Sequence, residues 1–271
     1  MTIKQLQFYQ IGSYPYPYAT TGEGSALTVC KRFNDPALAF LTQTSYEDDI
    51  VFMHLHLSVY VEAGRFSSPT DHGRITGMCY EKQDNKIWAV QGSGVPSQQG
   101  DKLIALDADT GNLVQTINIP LDDGEALAFN GLQFVRSNGS TLDLINQAGN
   151  VLASRNVDIG SSCQGISASP WSYVASYTGG NRLVILNPFA QVIAECVAPP
   201  GSPNGIQAVA FDNILDFDHI SQLPTDNGAV GAQGTPYHPD TPWDPEPYKF
   251  RHNVYLANEI DQTIYFGYFY E

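Results

Sequence analysis

Apolar and polar residues alternate along most of this chain in short runs of about four to nine residues, and the runs are separated by Gly, Asn, Asp and Pro. A period of two over such lengths marks half-buried β-strands, and no stretch shows a sustained helical period. The clearest group is "RITGMCYE", "KIWAVQG", "DKLIALDAD" and "NLVQTINI", four strands in which the last two are joined through the turn "DADTGN". Asp, Asn and Gly accept the dihedrals of such a turn. A similar group of four follows: "EALAFN", "LQFVRSNG", "STLDLINQ" and "NVLASRNV". After it come "GISASP", "WSYVASY", "NRLVILN" and "QVIAECV". An earlier group reads "SALTVCKRF", "ALAFLTQTS", "DIVFMHLHL" and "SVYVEAG". The last group has "IQAVAFDNI", "HNVYLANE" and "QTIYFGYFY", and it lacks a fourth strand. The missing strand is available at the other end of the chain, in "TIKQLQFYQ".

Each group opens on a polar residue followed by Gly: Glu23-Gly24, His72-Gly73, Asp123-Gly124, Gln164-Gly165 and Asn204-Gly205, spaced about 40 to 50 residues apart. Several strands per unit at that spacing predict an all-β fold. The expected architecture is a single five-bladed β-propeller of mostly four-stranded antiparallel blades, covering residues 1–271. Its blades are expected near residues 23–65, 72–119, 123–157, 164–198 and 204–271. The last is completed by residues 2–10, so that the N-terminal strand closes the ring and covers an open edge. The phrase "LIALDADTGNLVQTINI" resembles the repeats of quinoprotein-like and YVTN-type propellers. That resemblance implies the fold and brings no catalytic residue with it.

In such a ring the innermost strands line a central channel, so Glu23, His72, Asp123, Gln164 and Asn204 are expected to converge at one mouth. Carboxylate and amide oxygens suit Ca²⁺ or another divalent cation, and His72 adds a ligand for a transition metal. The set resembles calcium-dependent lactonase-type propellers, which generally have six blades. The same residues equally serve as turn formers before glycine. His54 and His56, at i and i+2 on one strand, face the same way and are a second metal candidate. The alternation around them also fits an ordinary two-faced strand.

Two Pro- and aromatic-rich stretches interrupt the pattern. "YPYPYATT" presents Tyr14, Tyr16 and Tyr18 for a protein interface or for sugar stacking, or else as a cover for the blade ends. Residues 215–250 form a long insertion with little periodicity, offering His219, Tyr237, His238 and Trp243 to a partner. Its Asp216, Asp218, Asp240, Asp244 and Glu246 show no fixed metal spacing.

Charge narrows the partners. With 13 Lys and Arg against 28 Asp and Glu, the chain carries a net charge of −15 and repels polyanions, so nucleic acid is not an expected partner. Proteins, cations and neutral sugars are. The N-terminus holds no apolar run of signal-peptide length and no segment is long enough to span a bilayer, which predicts an intracellular or virion-associated protein. Cys30, Cys79, Cys163 and Cys196 form no C-x-x-C pair and lie in apolar runs, as buried thiols in a reducing compartment would, although a disulfide stays open. No phosphate loop, nucleophile elbow or zincin motif is present. The expectation is a non-enzymatic binding or assembly module, part of a virion or other multiprotein particle. The alternatives are a divalent-metal-dependent hydrolase at the channel mouth and a lectin-like sugar binder.

Overall fold

The computed structural model describes residues 3–16, 26–30, 37–42, 49–55, 60–67, 75–91, 101–120, 124–157, 161–169, 172–177, 182–197, 205–211, 253–258 and 260–270. The fold is all-β, built from small antiparallel sheets in a propeller-like arrangement. After a long first strand, β1 (Lys4–Pro15), come four-stranded meanders. The first is β2 (Leu27–Cys30), β3 (Ala37–Thr42), β4 (Ile50–Leu55) and β5 (Tyr60–Phe66). The second is β6 (Ile75–Glu81), β7 (Lys86–Gln91), β8 (Lys102–Asp107) and β9 (Leu113–Asn118). The third is β10 (Ala126–Phe129), β11 (Phe134–Asn138), β12 (Thr141–Ile145) and β13 (Val151–Asn156). Then follow β14 (Cys163–Ser169), β15 (Ser172–Tyr177), β16 (Arg182–Leu186) and β17 (Val192–Cys196). The chain finishes with β18 (Ile206–Phe211), β19 (Asn253–Asn258) and β20 (Thr263–Tyr270). Each run of alternating residues in the sequence thus corresponds to a strand.

Strand β1 does what the unpaired N-terminal run suggested. It pairs antiparallel with β20 from Gln7↔Tyr270 to Pro15↔Thr263 and parallel with β17 at Lys4↔Ala194, Gln5↔Glu195 and Leu6↔Cys196. The last two units are thereby fused into one eight-stranded sheet, ordered β14-β15-β16-β17-β1-β20-β19-β18. The strand is longer than residues 2–10, because a bulge between Gln10 and Gly12 lets pairing continue to Pro15.

The first strands of the units pack side by side in the order β2, β6, β10, β14, β18, and β18 returns to β2. The apolar cores lie between successive sheets. Ile50 and Phe66 meet Ile75, Ile87 and Ile104 in one cluster; Trp88, Val90 and Leu103 meet Leu127, Phe134 and Ile145 in the next. The seam between the last unit and the first holds Tyr14, Tyr16, Ala208, Tyr255 and Phe266 against Leu27, Val29 and Val51. Tyr14 and Tyr16 are therefore core residues, 6% and 5% exposed, and not the docking surface that the Tyr-Pro alternation suggested. On a strand their i, i+2 spacing puts both rings on the same face, and here that face closes the ring. Tyr18 lies outside the described residues.

Burial governs the thiols. Cys79, Cys163 and Cys196 are buried and free. Desolvation, aided by the charge of Glu81, holds Cys79 well above its ordinary value, and burial pushes Cys163 up to about 12. The side chain of Cys30 lies outside the described residues. Among the described residues no helix is long and apolar enough to cross a membrane.

Candidate functional site: one end of the ring of first strands

The first strands begin with a repeated irregularity. In β6 the pairing steps from Ile75↔Gln91 to Gly77↔Val90, which leaves Thr76 as the bulged residue. In β14 it steps from Cys163↔Tyr177 to Gly165↔Ser176, leaving Gln164. In β18 it steps from Ile206↔Asn258 to Ala208↔Ala257, leaving Gln207. In the third unit Ala126 pairs with Ser137 while the Glu125 amide also donates to the Ser137 carbonyl at 3.0 Å, so Glu125 takes the equivalent place. Thr76, Glu125, Gln164 and Gln207 thus stand at matching positions at one end of the ring, all half-buried. A bulge re-aims a side chain, and bulges are frequent at barrel rims and beside binding sites.

Immediately after these polar residues come Gly77, Ala126, Gly165 and Ala208, joined by Ala26 from the first unit. Together they line a small cleft at the axis with room for about one water, with Thr76 and Gln164 also on its wall. Small residues are required because the backbones nearly touch. A Cβ on Gly165 would lie 2.5 Å from the Gln207 carbonyl oxygen and 2.9 Å from the Ala208 Cα. One on Gly77 would strike the backbone of Ala126 and Leu127.

Hydrogen bonds staple this end from unit to unit. The Thr76 hydroxyl donates to the Gly124 carbonyl at 2.6 Å, that of Ser137 to the Cys163 carbonyl at 3.0 Å, and that of Ser176 to the Gln207 carbonyl at 3.4 Å. Beneath the Gly124 turn lies a fully buried ion cluster. Arg136, without exposed surface, donates through Nε to Asp101 Oδ2 at 3.0 Å, through Nη2 to the same oxygen, and through Nη1 to Asp143 Oδ2 at 3.3 Å. Asp101 Oδ2 also accepts the Gly124 amide at 2.8 Å, and Asp143 Oδ1 accepts the Ser154 hydroxyl at 2.5 Å. The cluster joins the second unit to the third and fixes the entry to β10.

Of the residues singled out by the polar-Gly signature, Gln164 stands on this rim. Glu23, His72, Asp123 and Asn204 lie outside the described residues. The glycines themselves are not equivalent: Gly165 is paired within its strand, whereas Gly124 and Gly205 precede theirs. Sequence reasoning missed Thr76, Glu125 and Gln207. Their signal is a polar residue followed by Gly or Ala at the head of each apolar run, which pairing register, not glycine, brings into line. His54 lies in β4, paired with Leu38 and Val61, but its side chain and all of His56 are outside the described residues, as are His219, Tyr237, His238 and Trp243. Among the described residues no three His, Cys, Asp or Glu side chains gather as a metal site.

Strand direction fixes where the long insertion is attached. Because β18 runs away from the rim, Phe211 and Asn253 sit at the opposite end of the ring, the end that also carries the β6–β7 turn with Lys82 and Lys86.

No family model matches the chain, and no curated protein matches it in sequence. Among solved structures it is similar to a crystal structure of Myxococcus xanthus glutaminyl cyclase, with a TM-score of 0.62 and 11% sequence identity. The match covers 98% of this chain and 99% of that one. At that identity the likeness is one of fold.

Proposed function

We propose that the protein is a single five-bladed β-propeller that works as a binding and assembly module, docking protein partners within a larger particle through its surfaces and not through chemistry in a central pocket. The observation that carries this reading is the crowded axis. Among the described residues, Ala26, Gly77, Ala126, Gly165 and Ala208 leave room there for about one water, far below the roughly 300–1,000 Å³ of small-molecule sites. Recognition then falls to the two ends of the ring. The insertion, rich in Pro and aromatic residues, leaves from the end opposite the polar rim, and we assign partner docking to that end. The test is capture of partners from the native source by the full chain and by a chain lacking 219–246. The full chain should retain a partner that the shortened one loses; equal retention by both would reject the assignment.

A second reading is favoured by the end-to-end similarity to a glutaminyl cyclase. On that reading the rim is an active site, with Glu125 as its carboxylate and Gln164 and Gln207 orienting a substrate amide. A divalent ion at the mouth and lactone hydrolysis are its metal-dependent variant. Ammonia release from glutaminyl peptides, and lactone hydrolysis with and without chelator, separate these from the binding reading. Turnover abolished by Glu125→Gln would decide for the enzyme.

A further inference from the structure

We infer that Arg155 and Phe189, at the seam between the third and fourth units, form a docking point for a protein partner that offers an Asp or Glu carboxylate beside an apolar side chain. The inference rests on the reading of the protein as a binding module and names the chemistry of its partner.

At successive seams the end of an outer strand packs against a turn of the next unit, the one between its third and fourth strands. Phe66 of β5 lies against Gly111, and Ile117 of β9 lies against Gly149; a Cβ on those glycines would stand 2.3 and 2.5 Å from the two side chains. Both glycines hold a left-handed φ, +72° and +85°. The seam between the third and fourth units departs from this pattern. The registers Leu103↔Ile117 and Leu142↔Arg155 put Arg155 where β9 has Ile117. The facing turn, 187–191, carries Phe189 and Ala190 where 146–150 carries Ala148 and Gly149. The Arg155 guanidinium lies over the Phe189 ring, 5.6 Å from its centroid. Ala190 keeps the left-handed φ, at +61°, a strain that glycine would not carry.

None of these changes serves the fold. Among the described residues Arg65, Arg136 and Arg182 each meet a carboxylate, whereas Arg155 meets none, in a chain with 28 Asp and Glu to supply one. Arg155 is half-buried, and its Nε is buried without a hydrogen bond. Phe189 is 63% exposed. Local conflicts without a gain inside the fold gather at functional sites.

Charge selects the partner. Stacking on a ring fixes the plane of a guanidinium and leaves its in-plane donors to a carboxylate. The exposed ring beside it takes an apolar neighbour, and Arg with aromatic residues is the usual pairing at interface centres. The net charge of −15 disfavours a polyanion, so the carboxylate stands alone in an otherwise uncharged segment. Strand β16 runs away from the rim, and Phe189 therefore stands at the end assigned to docking.

NMR of the full chain tests the inference, with a short peptide capped at both ends and carrying Glu beside Phe as the probe. The control is the same peptide with Gln for Glu. The Arg155 Nε–H resonance and the Phe189 and Ala190 amides should shift saturably with the probe and not with the control. Phe189→Ala should weaken binding at least about tenfold. In Arg155→Ile the two amides should no longer respond, while the variant melts no lower than the parent, because an apolar residue there repeats the Ile117 packing. No response to the probe, equal responses to probe and control, or an unchanged response in Arg155→Ile overturns the inference. So does an Arg155→Ile protein that melts below the parent, which would make Arg155 a structural residue. The probe reports on Arg155 directly, so its result is independent of whether the chain lacking 219–246 loses a partner.

Discussion

Replacing Gly165 by Ala should destabilise the protein by about 2 kcal/mol. The added methyl carbon would stand 2.5 Å from the Gln207 carbonyl oxygen and 2.9 Å from the Ala208 Cα. Both are backbone atoms of the neighbouring first strand, so no side chain can swing aside, and relief requires two inner strands to separate. Overpacking costs about 1–3 kcal/mol, and contact with backbone atoms on two sides puts this site at about 3 kcal/mol. Against that, losing glycine's freedom in the unfolded chain returns about 0.4–1 kcal/mol. At the size of this protein a net 2 kcal/mol corresponds to a fall in Tm of about 4–8 °C. Gly12 supplies the contrast. It lies in β1 with nothing within 4 Å of an added Cβ and without a left-handed φ, so Gly12→Ala should be neutral or stabilising by about 0.5 kcal/mol. Urea unfolding and thermal melting of both variants measure the difference. A Gly165→Ala protein as stable as the parent would mean that the first strands do not approach as closely as the crowded axis requires.

Three further outcomes follow from the packing. Arg136→Met strands the buried carboxylates of Asp101 and Asp143, and urea unfolding should register a loss of about 3–5 kcal/mol. Tyr14→Ala opens the seam that closes the ring and should cost about 3–5 kcal/mol, with hydrogen exchange accelerating in β1 and β20 before other strands. Burial raises the Cys163 thiol from its ordinary value of 9.0 to about 12 in the folded protein. The native state therefore holds its proton more tightly, and this stability is complete below pH 9 and is lost as pH rises from 9 toward 12. Tm measured from pH 7 to 11 should fall above about pH 9, less steeply in Cys163→Ala; identical slopes would contradict the buried thiol.

Most of the strand plan was legible because alternation with a period of two survives wherever one or both faces are covered. Even the closing role of the N-terminus could be read, since the last group lacked a strand and residues 2–10 had no other mate. Tyr14 and Tyr16 were misread because Pro15 and Pro17 look like breakers. Pro15 ends β1 with its ring exposed, and the strand survives up to it. The rim was legible only at Gln164, for a different reason. Glycine marks a local conformation and not a register: of the described glycines, Gly165 is paired within its strand whereas Gly124 and Gly205 precede theirs. Thr76, Gln164 and Gln207 are brought together by bulges in the pairing of β6, β14 and β18, and Glu125 by the bond of its amide to the Ser137 carbonyl. That coincidence exists only once strands are paired. The Arg136 cluster was equally invisible, because Asp101 and Arg136 come from different units and neither sits in a motif.

Cross-linking mass spectrometry of the protein in its native assembly, using a lysine-reactive reagent, tests the central claim most directly. Lys82 and Lys86 mark the end of the ring from which the insertion leaves, Lys249 lies within 212–252, and Lys102 marks the rim end. The account predicts cross-links to partner proteins from Lys82, Lys86 and Lys249 and not from Lys102. Links to partners from Lys102 alone, or no links to any other protein, would contradict it.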